Sequence, residues 1–189
     1  IIANKSDYNL KKYLHVYKDL FPNIKIVYEN NAKGPAQALM LTKKYIKQEY
    51  FGLMFGDDFY DSKTYPIEQL GSDAVKIGMK KVTKEEVPLY GMIIHENNVV
   101  NKIVEKPSID NVSSLDVVVG RFILPKKIFK IISNLKNIEN DQQFIESLNI
   151  LCSNENVYCQ LIEGDNFDIG NKKGYIKANI NAYNNSVIR

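Results

Sequence analysis

Asp57 and Asp58 follow the apolar run Phe51-Gly52-Leu53-Met54-Phe55 and a glycine, Gly56. A buried strand ending in carboxylates places them where ligands gather in open α/β sheets, at the carboxyl ends of the strands. A hard divalent cation suits such a position, because Mg2+ takes one or two carboxylates together with phosphates and waters. The same two residues could equally form a turn or cap the next element. Phe167-Asp168-Ile169-Gly170 repeats the pattern: a strand-like segment, Val157 to Ile162, and then a loop carboxylate beside a glycine. Each carboxylate alone is weak evidence. Together they make a two-carboxylate magnesium site, Asp57 with Asp168, the reading to test.

Two further segments have usable chemistry. Ala32-Lys33-Gly34-Pro35-Ala36-Gln37-Ala38 is a glycine-bearing turn into a helix of small residues, and a helix N-terminus favours a polar or anionic ligand. An ordinary helix start, with Ala packed on a sheet, explains it as well. Glu105-Lys106-Pro107 sets a carboxylate and an ammonium at the end of a strand; the Lys could meet a phosphate and the Glu could accept from hydroxyls, or the two could form a solvated pair. His15 and His95 have no Cys or Asp at metal spacing, which argues against zinc chemistry and histidine-based nucleophilic catalysis. Cys152 and Cys159 lie on apolar segments and read as structural.

The elements that must position these residues follow from periodicity. Ile1 to Ala3 reads as the tail of a strand, and Ser6 as the N-cap of a helix over 7–21 with Leu10, Tyr13, Leu14, Tyr17, Leu20 and Phe21 on one apolar face. Ile24 to Tyr28 alternates as a strand, Pro35 opens a second helix, and Phe51 to Phe55 is a buried strand. In the second half, Ala74 to Val82 is a strand, Met92 to Ile94 and Val99 to Val104 flank a hairpin turn at Glu96-Asn97-Asn98, and Asp116 to Leu124 is another strand. Helices follow at 126–136 and 141–152, then the strand Val157 to Ile162 and a helix from Lys172. The result is an α/β chain with a mixed, largely parallel Rossmann-like sheet flanked by helices, in one domain over residues 1–189. A strand at residue 1 with no turn before it leads to the expectation that the fold is incomplete at its N-terminus.

Composition narrows the function classes. The 25 basic and 22 acidic residues of the 189 nearly cancel to a net charge of +3, and the lysines are scattered, which argues against a nucleic-acid partner. No apolar run reaches the roughly 20 residues of a membrane span. Two cysteines form no disulfide framework and favour a reducing, cytoplasmic compartment.

Lys33-Gly34-Pro35-Ala36-Gln37-Ala38, Gly56-Asp57-Asp58, Leu89-Tyr90-Gly91, Val104-Glu105-Lys106-Pro107, Val119-Gly120-Arg121-Phe122 and Asp168-Ile169-Gly170-Asn171-Lys172-Lys173-Gly174-Tyr175 come in an order and spacing that resembles the bacterial UTP–glucose-1-phosphate uridylyltransferases (UDP-glucose pyrophosphorylases), which are sugar nucleotidyltransferases. The resemblance implies the nucleotide-diphospho-sugar transferase fold, the substrates UTP and glucose 1-phosphate, and Mg2+. It implies that Asp57 and Asp168 hold the metal, that Gly34 lies under the uracil, and that Glu29 stands where the family usually has a Gln against the base. Tyr90 and Gly91 would line the glucose pocket, Glu105 would bind sugar hydroxyls, and Lys106 would meet the sugar phosphate. Gly120 would sit against the sugar, Arg121 matches a family Arg, and Lys172 matches a Lys near the phosphates. Asp141, Gln143 and Glu146 only partly keep the family's Glu-Ile-Gln-Leu-Thr-Asp segment. The family's Gly-x-Gly-Thr-Arg loop and its following Lys are not in the sequence. Thymidylyl or another nucleotidyl transfer, and a non-catalytic nucleotide-sugar-binding relative, remain as alternatives, and self-association into a homo-oligomer stays open.

Overall fold

The computed structural model describes residues 1–20, 22–30, 34–135 and 140–187. In chain order the elements are β1 (Ile2–Asn4), α1 (Tyr8–Val16), β2 (Val27–Glu29), α2 (Pro35–Met40), β3 (Tyr50–Met54), β4 (Asp58–Asp61), α3 (Pro66–Gln69) and β5 (Lys76–Lys81). After these come β6 (Gly91–Glu96), β7 (Val99–Glu105), β8 (Asp116–Pro125), α4 (Ile128–Asn134), α5 (Asn140–Asn154), β9 (Tyr158–Leu161), β10 (Asp165–Asp168) and α6 (Lys172–Val187). The chain divides into two compact units, one of Ile1–Lys47 with Lys127–Ser147 and one of Gln48–Lys126 with Leu148–Arg189.

In the first unit β1 pairs with β2 in parallel, Ala3 opposite Tyr28. The helix between them starts one residue later than expected. Ser6 spends its hydroxyl on Asn4 Oδ1 at 2.7 Å, and Asp7 becomes the N-cap, accepting from the Leu10 N–H at 2.9 Å. The helix stops at Val16 and gives way to a 3-10 turn at Lys18–Leu20, while Phe21 lies outside the described residues. Its apolar face buries no residue, and Tyr13, Tyr17 and Leu20 are exposed. Pro35 does open α2, after Gly34 with φ 89°. Ala36 and Leu39 of α2, Ile128, Phe129 and Ile132 of α4, and Phe144 and Ile145 of α5 are all buried. Gln143, 1% exposed, accepts from Gln37 Nε2 at 2.7 Å and donates to the Leu135 carbonyl at 2.8 Å, so a polar side chain is satisfied inside this unit.

The second unit holds a six-stranded sheet in the order β3-β8-β5-β9-β7-β6, with β6 also touching β8. It is mixed and flanked by helices, as expected, but its parallel share is smaller than the sequence suggests. Among the described residues β5 with β9 is its one parallel pair, and the others run antiparallel. The physical reason is β8, a ten-residue strand buried along almost its whole length, which takes β3 and β5 as antiparallel neighbours. Apolar strands buried on both faces read alike in either direction. The β6–β7 hairpin turns at Asn97 and Asn98, with φ of 51° and 64°, the pair of left-handed residues that a tight two-residue turn needs. One apolar cluster joins Tyr60, Leu70, Val119, Ile123 and Ile162, and another joins Val87, Met92 and Val117. No helix among the described residues is long and apolar enough to cross a membrane.

Candidate functional site

The two carboxylates singled out in the sequence come together through a pair of strands the sequence did not announce. β4 and β10 run antiparallel, with Asp58 opposite Asp168 and Tyr60 opposite Asn166. Just beyond the ladder, the Ile169 N–H donates to the Asp57 carbonyl at 2.8 Å. Gly170 completes the arrangement by lacking a side chain. A Cβ at that residue would stand 3.1 Å from Asp168 Oδ1 and 3.1 Å from Asp57 Oδ2, so the two oxygens lie at most twice that distance apart. They face a shared space that any larger residue would enter.

Asp168 is held from its own loop. Oδ1 accepts from the Gly170 N–H at 3.0 Å, and Oδ2 accepts from Asn171 Nδ2 at 2.8 Å. Asn171 also caps α6, its Oδ1 accepting from the Gly174 N–H at 2.8 Å. One amide thus ties the start of a helix to a carboxylate, leaving lone pairs on both Asp168 oxygens. That donor set fits a hard cation. Among the described residues no group of three or more His, Cys, Asp or Glu gathers as a metal cluster, so a cation here would complete its shell from phosphates and water, as Mg2+ does.

Asp58 has a different task from its neighbour. Its Oδ2 accepts from the Gly120 N–H at 2.9 Å and lies 3.5 Å from Arg121 Nη1, and its Oδ1 accepts from Asn166 Nδ2. Arg121 is 8% exposed and also donates to the carbonyls of Phe55 at 3.1 Å, Gly120 at 2.8 Å and Asp58. Its guanidinium therefore clamps the 55–58 turn that carries Asp57. Gly120 must be bare for this, since a Cβ there would come within 2.6 Å of Phe55 Cβ.

The β6–β7 hairpin gathers four more of the expected residues at its open end. Gly91 pairs with Glu105, and the Lys106 N–H donates to the Tyr90 carbonyl at 3.0 Å. Lys106 Nζ lies 3.4 Å from Glu105 Oε1. Lys106 has φ 42°, a left-handed conformation that non-glycine residues adopt at a cost of order 1 kcal/mol and often at functional sites. Pro107, which follows it, disfavours the ordinary helical alternative.

A cleft of about 450 Å³ in the second unit has both Tyr90 and Asp168 in its walls, along with Lys80, Asn166, Lys173 and Lys177. Tyr60 also lines it; among the described residues its buried hydroxyl has no hydrogen-bond partner, and burial and then Asp58 hold that hydroxyl in its protonated form. Lys172, the residue picked from the sequence, is exposed at the first position of α6 and is not in the cleft wall, whereas Lys173 is. Glu29 closes β2 and Gly34 caps α2, both in the first unit. Lys80 and Asn166 were not picked out in the sequence, because a lysine near the end of one strand and an asparagine within another have no motif. The one available signal was alternation in Asp165-Asn166-Phe167-Asp168, which puts Asn166 and Asp168 on one face. Burial pushes the Cys152 and Cys159 thiols up to about 11, so both are protonated at neutral pH and unsuited to nucleophilic chemistry.

A model of the nucleotidyl transferase family matches residues 1–185. The chain is 31% identical over 172 residues to a UTP–glucose-1-phosphate uridylyltransferase of Bacillus subtilis (strain 168), a match covering 82% of this chain and 56% of that protein. It is 30% identical over 180 residues to the UTP–glucose-1-phosphate uridylyltransferase of Mycoplasma genitalium, covering 88% and 62% respectively. The chain thus spans less than two thirds of the length of these relatives. Among solved structures, an apo UDP-glucose pyrophosphorylase matches with a TM-score of 0.78 at 25% identity, over 96% of this chain and 72% of that one. A UDP-glucose pyrophosphorylase complexed with UDP-glucose matches with a TM-score of 0.74 at 25% identity, over 96% and 75%.

Proposed function

Because the chain belongs to the nucleotidyl transferase family, we propose that it serves nucleotidyl transfer between UTP and glucose 1-phosphate, yielding UDP-glucose and pyrophosphate. The observation that carries this reading is the pair of carboxylate oxygens, from Asp57 and Asp168, each 3.1 Å from one point beside Gly170. In the reaction a phosphate oxygen of glucose 1-phosphate attacks the α-phosphorus of UTP in line, and pyrophosphate departs with the electron pair of the broken bond. No covalent intermediate is needed, so the protein contributes orientation and charge balance. Asp57 and Asp168 would hold Mg2+, whose charge offsets that of the phosphates when it is bound.

The remaining roles belong to side chains of the chain itself. Lys106 would lower the repulsion between two anions brought together, its ammonium standing beside Glu105 at the mouth of the hairpin. Glu105 would accept from sugar hydroxyls, with the backbone of Tyr90 and Gly91 beside it. Gly120 and Arg121 would serve the sugar side from β8, Arg121 by holding the turn, and Lys172 would stand near the phosphates. Gly34 and Glu29 would meet the base; an ionised Glu accepts from the uracil N3–H but cannot donate to O4. The reading includes a cytoplasmic protein, in keeping with two unpaired cysteines.

Pyrophosphate release measured with UTP, dTTP and ATP against a panel of sugar 1-phosphates tests the assignment. UTP with glucose 1-phosphate is expected to be the best pair, and Asp57→Ala and Asp168→Ala are each expected to lower turnover at least about a hundredfold while the far-ultraviolet dichroism is kept. Turnover near wild type in either variant removes that residue from the cation site.

A further inference from the structure

The side-chain network behind the 55–58 turn runs further than the turn itself. Lys80, the penultimate residue of β5, places Nζ 4.1 Å above the centroid of the Tyr90 ring and donates to Asn166 Oδ1 at 2.6 Å. Asn166, on β10, turns its Nδ2 to Asp58 Oδ1 and to the Phe59 carbonyl, the latter at 3.3 Å. Asp58 in turn accepts from the Gly120 N–H. The chain Tyr90–Lys80–Asn166–Asp58 therefore links the residue beside the hairpin mouth to the turn from which Asp57 reaches toward Asp168.

The direction of the amide is the informative detail. An ammonium only donates and an ionised carboxylate only accepts. An asparagine between them has one good orientation, with its oxygen toward Lys80 and its nitrogen toward Asp58. Asp58 and the Phe59 carbonyl anchor the nitrogen end and the ammonium anchors the oxygen end; without the ammonium the oxygen end has lost its charged donor, and the amide is held from one side. The Tyr90 ring holds the ammonium in place by cation–π attraction.

From this geometry we infer that Lys80 is a positioning residue for the carboxylate pair: by fixing the orientation of the Asn166 amide it sets the turn that aims Asp57 toward Asp168. The inference rests on the reading that these two carboxylates share a divalent cation. It gives Lys80 a role for which neither the metal ligands nor the hairpin residues account. It also gives the cation site a dependence on Tyr90, since displacement of that ring frees the ammonium that orients the amide.

The test is a titration of the full chain with Mn2+ in the presence of UDP-glucose, followed by water-proton relaxation, with thermal melts alongside. Lys80→Met is expected to weaken Mn2+ binding about tenfold, the usual scale for groups that orient metal ligands. Lys80→Arg keeps a donor-only cation and is expected to stay within about threefold of wild type. Asn166→Leu is expected to weaken binding as Lys80→Met does, and the double variant to be no worse than the weaker single, because both changes break one relay. Equal affinity in wild type and Lys80→Met, or additive losses in the double variant, would overturn the inference. If Lys80→Met melts early, the Arg variant decides: a tenfold loss there, with the melt unchanged, also overturns it. A wild-type chain that binds no Mn2+ would sink the reading of function itself, an outcome distinct from wild-type binding that Lys80→Met leaves untouched.

Discussion

The β6–β7 hairpin and the β4–β10 pair both present acidic residues for chemistry, yet they are built by opposite means. The hairpin leans on an apolar cluster, its own Met92 buried with Val87 and Val117, and its turn is set locally by two asparagines at positive φ. The β4–β10 pair is four residues on each strand; Asp58, Tyr60, Asn166 and Asp168 share one side, and of these Tyr60 reaches an apolar cluster while the other three are polar. What fixes its Asp58 carboxylate is a guanidinium, an amide and a backbone N–H directed at it. An apolar region tolerates loss of a polar partner, whereas a polar network loses its orientation with one member. The difference teaches that the placement of the Asp57 and Asp168 carboxylates leans on the hydrogen-bond network, and that the hairpin mouth leans on strand packing.

The largest blow to the contrast should come from Arg121→Ala. It leaves Asp58 half-buried without its cation and frees the Phe55 carbonyl, so urea unfolding is expected to show a loss of about 3–5 kcal/mol. A loss below 1 kcal/mol would mean the network is ornamental. Met92→Ala probes the other region: a side chain 2% exposed is replaced by a cavity, expected to cost about 3 kcal/mol. In that variant Mn2+ affinity is expected to remain at the wild-type value, and a parallel loss of binding would break the separation drawn between the two regions. Gly170→Ala is subtler. The added Cβ stands 3.1 Å from both carboxylates, so relaxation titration should show cation affinity falling about tenfold, or about 1.4 kcal/mol, with the melt unchanged.

The smallest effect concerns Asp116, on the hairpin's side. Burial raises its carboxyl, but hydrogen bonds from Lys81 at 2.8 Å and His95 at 3.1 Å outweigh that and hold it below the ordinary range. A depressed folded value means the stabilisation is complete above the unfolded value near about 4 and disappears as pH falls through the folded one. Asp116→Asn is therefore expected to flatten the acid limb of a stability-against-pH curve below about pH 4, with no change in its slope above about pH 5. An unaltered acid limb would show that the two partners do not bias this carboxyl.

Much of this was legible in the sequence where one element carried its own signal. Pro35 opening α2, the Asn97-Asn98 turn and the long apolar β8 are each local matters of backbone preference or burial. Asp57 and Asp168 stood out because each follows an apolar strand-like run and stands within two positions of a glycine. The misses were relations. Ser6 looked like a cap until Asn4 took its hydroxyl. The strands β4 and β10, Asp-Phe-Tyr-Asp and Asp-Asn-Phe-Asp, lack the apolar alternation that marks a strand, and they exist because each completes the other's ladder.

By itself, then, the sequence determined which residue types could do chemistry and which apolar segments would form strands and helices around them, since backbone preference and periodicity act over a few residues; it read Asp168 as a loop residue, whereas Asp168 closes β10. Tertiary structure alone decided that residues 57 and 168 share a space beside Gly170, that their neighbour Asp58 serves the scaffold, and that Lys80 and Asn166 belong to the same network. Those facts depend on the register between strands more than a hundred positions apart, and register comes from the sum of cross-strand contacts, which no single segment contains.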